Sequence, residues 1–189
     1  RVYPRLVRGI TVAGDSPVVS VSSTLVVNDA SVGAVAWTNP DNARIGDDLY
    51  AEAVTVAQDT QRLNATGWNF QLNADLNILG IIVDVECKVL LGTATVLCRL
   101  IRAGVVGAVT RSGTWTTTEE VVSYGALDDL WGENWSAADC NGQTFGVSIR
   151  QEAALTSTLS CDRVSISIHY GAAVPPYQPW YGRAPVLAQ

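Results

Sequence analysis

With 189 residues, the chain can fill one well-packed core but not comfortably two. Hydrophobic residues make up 48% of it and charged residues 16%, against about 25% charged in ordinary soluble domains, so part of the surface is expected to be covered by other subunits. A formal net charge of −6, with eleven scattered Arg and Lys88 as the sole Lys, excludes a nucleic acid or an anionic membrane held by basic patches.

The chain opens Arg-Val-Tyr-Pro without an apolar leader, and the lack of any Met is expected where the N-terminus is processed, trimmed or not included. Residues 1–35 are expected to form an N-terminal β segment or arm, with a β-branched strand region from Val18 to Val27. Leu49 to Val56 alternates in period 2, though its Ala content leaves a helix as the alternative. Ile78 to Leu91 is the most apolar stretch. It is broken by Asp84, Glu86 and Lys88 at every second position, which predicts a strand and not a membrane span. Gly92-Thr93 fits a two-residue hairpin loop. That register sets Val89 opposite Val96, Cys87 opposite Cys98, and Glu86 opposite Arg99.

Next comes Tyr124-Gly-Ala-Leu-Asp-Asp-Leu-Trp-Gly-Glu-Asn-Trp-Ser136, expected as a structured loop holding one helical turn. Phe145 to Gln151 and Asp162 to Tyr170 read as strands, the latter with Val164, Ile166, Ile168 and Tyr170 on one face. The last segment, 172–189, carries four Pro together with Tyr177, Trp180 and Tyr181. It cannot be a central strand and reads as an extended arm that reaches a neighbouring subunit, with Trp180 as its anchor.

Few residues form a catalytic constellation. His169 is the sole His, and Ser167 beside it on the same strand face is not aimed at the ring, so a Ser–His pair is the weaker reading against a surface His. Carboxylates gather at Asp47-Asp48, Glu119-Glu120, and Asp128-Asp129 with Glu133. Two facing pairs would be the minimum for a glycosidase, but turn stabilisation is the better account. Oxygen ligands for Ca²⁺ could come from Asn39 to Asn42 or from Asp128-Asp129, yet no EF-hand spacing is present. The four Cys lack metal-ligand spacing and allow three pairings; a reducing cytoplasm favours thiols. Trp37, Trp68 and Trp115 are expected in the core. Asp128, Asp129, Trp131 and Trp135 form a candidate ligand or receptor loop, where exposed rings would make a sugar platform and buried rings a local core; the second is preferred.

Several strings stand in a familiar order: Trp37-Thr-Asn-Pro-Asp-Asn-Ala43, Asp48-Leu-Tyr-Ala51, Ile78-Leu-Gly-Ile-Ile-Val-Asp-Val85, Tyr124-Gly-Ala-Leu-Asp-Asp-Leu-Trp-Gly132 and Asp162-Arg-Val-Ser-Ile-Ser-Ile-His-Tyr170. Over residues 36–171 the chain resembles a sandwich domain found in accessory head and tail proteins of tailed bacteriophages. That resemblance implies no catalytic residue and no cofactor. The expectation is an all-β antiparallel β-sandwich of jelly-roll type at 36–171, flanked by the N-terminal segment and the C-terminal arm. Its expected role is that of a non-enzymatic virion protein made in the bacterial cytoplasm, acting as a homo-oligomer with a trimer favoured. Expected partners are copies of itself and other capsid or tail proteins. A host-surface glycan or receptor is the alternative partner, with a glycoside hydrolase as the third reading.

Overall fold

A computed structural model describes residues 16–19, 23–152 and 156–172. Strands, numbered in chain order, form two sheets. The first holds β1 (Ser16–Val19), β3 (Ala51–Val56), β5 (Leu76–Val89), β9 (Glu120–Ala126) and β11 (Thr156–Ala172). The second holds β2 (Leu25–Asp29), β4 (Arg62–Thr66), β6 (Ala94–Arg102), β7 (Val105–Val106), β8 (Arg111–Trp115) and β10 (Gly146–Gln151). All strands pair antiparallel, and the molecule is the expected β-sandwich. The expected C-terminal arm, beyond Ala172, lies outside the described residues.

The sandwich follows from period-2 burial on both sheets. On β3, Ala51, Ala53 and Thr55 are buried while Glu52, Val54 and Val56 face solvent, so the alternation prevails over the helix propensity of Ala. β5 turns Ile81, Val83, Val85, Cys87 and Val89 inward, where they meet Leu63, Val96, Cys98, Trp115, Phe145 and Ile149 from the other sheet. Trp37, Trp68 and Trp115 are all in this core, as their positions beside strands predict. β11 organises the first sheet: β5 runs along one side of it, and β3 and β1 share the other. The N-terminal segment contributes a strand to each sheet through β1 and β2.

The hairpin expected at Gly92 is not formed. β5 and β6 belong to opposite sheets, and residues 90–93 carry the chain across the sandwich. Cys87 lies opposite Cys161 on β11, Cys98 opposite Ile149 on β10, and Glu86 pairs with Arg163 at 3.2 Å instead of with Arg99. The reason is geometric: two strands that face one core across about 10 Å satisfy the same inward alternation as two strands side by side. Periodicity alone does not separate these arrangements, and the Glu86–Arg99 match was coincidental.

The helical turn also forms elsewhere than expected. Trp131 has a left-handed backbone (φ 54°), so no helix includes it. A short helix, α1 (Ala137–Asn141), starts after it, where Ser136 and Asp139 form a reciprocal capping box. Among the described residues, no helix is long and apolar enough to cross a membrane.

Candidate functional site: a sealed loop and an open groove

The loop after β9 is built inward. Asp129 accepts the backbone N–H of Trp131 at 2.8 Å, an Asx turn that fixes the left-handed residue. The same carboxylate receives two hydrogen bonds from Arg111 at 2.7 and 2.8 Å. That fork, reinforced by the Trp131 amide, holds Asp129 below the usual carboxylate range. Trp131 is buried and its indole N–H donates to the Ile81 carbonyl at 2.8 Å. Trp135 is buried too, donating to the Leu130 carbonyl and standing edge-on to Phe145 at 5.4 Å between centroids. The guanidinium groups of Arg111 and Arg102 lie over the rings of Trp131 and Trp135 at 5.3 and 5.5 Å. Gly125 is required twice over: its φ is 84°, and a Cβ there would strike the Ile81 carbonyl and the Trp131 ring.

Of the four loop residues singled out from sequence, only Asp128 is freely exposed. The two rings therefore form a local core, and no aromatic platform faces solvent at this loop. The other three candidates, Tyr177, Trp180 and Tyr181, lie outside the described residues.

The open feature is on the outer face of the first sheet. A groove of about 510 Å³ runs between β3 and the end of β5, over the start of β11. Tyr50, Glu52 and Val54 form one wall, Lys88 and Leu90 the other, and Thr158 and Ser160 the floor. At its inner end Lys88 Nζ donates to Tyr50 Oη at 2.8 Å and to Glu119 Oε2 at 2.9 Å, and it sits 4.1 Å from the centre of the Tyr50 ring. Tyr50 in turn donates to Glu119. Hydrogen bonds to Tyr50 and Glu119 hold Lys88 above its ordinary pKa, and those from Lys88 and Tyr50 hold Glu119 below its own. For Tyr50, the Lys88 bond pulls its pKa down, but burial and the Glu119 carboxylate outweigh it and the net shift is upward.

Behind this network, oxygens of Asp48, Glu119 and Asp162 lie within 4.8 Å of one another. Sequence placed two of these three in acidic pairs but gave no reason to join them. Burial raises the pKa of Asp162, opposed by backbone N–H groups of Asp47 and Asp48. Three such oxygens are a partial set of hard ligands for a cation such as Ca²⁺. One of them already belongs to the Lys88 ion pair, and Asp162 already accepts the Asp47 amide at 3.3 Å.

The remaining candidates are placed apart. His169 lies on β11 beside β1 and β5, its Nδ1 2.7 Å from the Leu127 carbonyl. The four Cys are buried thiols, and burial pushes their pKa values up, that of Cys140 to about 12, which suppresses the nucleophilic thiolate.

No family model matches the chain, and no curated protein matches it. Among solved structures it is similar to BiXyn10A CBM1 in its apo form, at 7% identity and a TM-score of 0.42, over 80% of this chain and 99% of that one. A likeness at that level bears on neither ligand nor function.

Sequence reasoning missed the groove. The available signal was Lys88, a lone Lys on the polar face of an otherwise apolar strand, two residues from Glu86 and in reach of the Glu119 segment.

Proposed function

We propose that the chain is a non-enzymatic structural protein of a tailed-bacteriophage virion, a head-decoration or accessory tail or fibre component that acts as a homo-oligomer, with a trimer favoured. The observation that carries self-association is an apolar patch on the rim of the groove. Val54, Val56, Leu90 and Leu91 are 63% to 68% exposed, although their neighbours alternate cleanly between core and solvent. The four flank one stretch of β11: Val54 and Val56 lie opposite Thr158 and Thr156 on one side, and on the other Leu90 donates its amide to the Thr158 carbonyl and Leu91 donates to Ser157 Oγ. Aliphatic side chains grouped in this way on a chain with so little charge favour burial against a partner.

The edge of β3 supports the same reading. Glu52 exchanges both backbone hydrogen bonds with Thr38, away from β11. The same alternation turns the amides and carbonyls of Val54 and Val56 onto an edge that no described strand covers. Several ionic side chains elsewhere are engaged within the subunit: Arg102 with Asp139 and Glu133, Arg111 with Asp129, and Arg150 with Asp59 and Glu152.

Light scattering over a concentration series, with the copy number per particle from quantitative mass spectrometry of purified virions, tests this. Hundreds of copies place the protein on the head, and a few place it on a tail or fibre. A monomer at all concentrations that is also missing from particles overturns the proposal.

A further inference from the structure

We propose that the groove between β3 and β5 receives the C-terminal arm of a second copy, with Trp180 seated on the Val54–Leu90 rim and Arg183 directed to Glu52. The inference rests on the self-association proposed above and identifies the surface that performs it.

Reach decides between the same copy and another. β11 ends at Ala172, opposite Leu76, whereas the groove lies at Lys88 to Leu90, the far end of the neighbouring strand. At about 3.3 Å per residue, the separation along β5 is about 40 Å. Trp180 is eight residues past Ala172 and extends at most about 29 Å even when fully stretched. Tyr177 extends less and Tyr181 little more. The aromatic residues of the arm therefore cannot enter the groove of their own subunit, but those of a neighbour can.

Chemistry favours this occupant. The segment Val174 to Pro185 has Pro at 175, 176, 179 and 185, a composition suited to a polyproline helix of three residues per turn. A chain of that period would carry Tyr177, Trp180 and Arg183 on one side, about 9 Å apart. The groove offers a matching row: an aromatic side chain at Tyr50, an acid at Glu52, and aliphatic groups at Val54 and Leu90. Glu52 is exposed, accepts only a 3.4 Å hydrogen bond from Ser160, and has no basic partner among the described residues. Arg183 is the only charged residue of the arm, so the complementarity is one to one. Polyproline ridges dock in shallow grooves of this type because little conformational entropy is lost when they are ordered.

The test uses the full-length chain carrying the photo-cross-linker p-benzoylphenylalanine at position 54, prepared as a mixture of isotopically light and heavy copies. The expected product is a light–heavy cross-link from position 54 to a peptide containing Trp180. In parallel, sedimentation of Trp180→Ala, Glu52→Arg and Arg183→Glu should each show self-association weakened about ten-fold or more, and the doubly reversed Glu52→Arg/Arg183→Glu should recover it. If the wild type is oligomeric but cross-links elsewhere and ignores these substitutions, this inference fails while self-association stands. If the wild type is a monomer throughout, both fail. Binding on a glycan array that Glu52→Arg abolishes would give the groove to a sugar and overturn the assignment to the arm.

Discussion

The Trp131 loop and the β3–β5 groove both combine aromatic, carboxylate and cationic side chains, yet they are built in opposite ways. At the loop, Arg111 makes a two-pronged contact with Asp129 and covers the Trp131 ring, so the charged pair closes over an aromatic that already packs on the core. At the groove, Lys88 binds Tyr50 and Glu119 across the inner end and leaves Glu52, Val54 and Leu90 uncovered. The same residue types therefore hold a fold together in one place and leave a surface in the other. The distinction lies in backbone placement. Asp129 sits two residues before a left-handed Trp and turns it inward, whereas Tyr50 precedes a strand edge that points outward.

The largest effect that could break this contrast is on the loop side. Trp131→Ala is expected to cost about 3–5 kcal/mol, because a buried ring is lost and the Ile81 carbonyl loses its donor. Chemical denaturation with an unchanged slope checks it. A change below about 1 kcal/mol would mean that the ring is not part of the core, and it would return the loop to the list of ligand surfaces.

How much of this was legible in the sequence differs between the two regions. The inward strand residues, the core position of Trp37, Trp68 and Trp115, and the Asp129 turn all follow from local rules of alternation and Asx geometry, which neighbouring residues suffice to express. The pairing of Cys87 with Cys161 instead of Cys98 does not, because inward alternation is satisfied equally within a sheet and across a sandwich. The groove is hidden for a related reason. Tyr50, Lys88 and Glu119 are far apart in sequence and meet only because β3, β5 and the turn before β9 converge at one end of β11. Left-handed geometry at a bulky Trp was equally invisible, since Trp does not favour it without the Asp129 acceptor.

A smaller effect sharpens the comparison on the groove side. Lys88→Met should lower stability by only about 0.5–1 kcal/mol, since both partners are about one-third exposed and screened by solvent. Its pH dependence is the informative part. Glu119 has a lowered pKa in the fold, so its contribution is present above the ordinary carboxylate range and is lost as pH falls through the lowered value. Lys88 has a raised pKa, so its contribution is present below its ordinary value of 10.5 and is lost as pH rises through the raised one. The difference between wild type and Lys88→Met should thus be flat from about pH 5 to 10 and shrink on both sides. A difference that persists at pH 2 would show that the hydrogen bond and cation–π contact of Lys88 with Tyr50, and not its pairing with Glu119, are what matter.

The smallest effect on stability is expected at the rim itself, and there the contrast with the loop is greatest. Leu90 is 68% exposed, so Leu90→Ser removes little packing within the subunit and should change unfolding free energy by no more than about 0.5 kcal/mol. A rim that serves only its own subunit would then leave association untouched. If the rim is an interface, the same substitution places a hydroxyl where a partner's apolar surface should sit, and self-association should weaken measurably in sedimentation while the melting curve stays in place. A Leu90→Ser protein that melts several degrees lower would instead show that Leu90 packs on its own sandwich, and the exposed patch would lose its meaning as a docking surface.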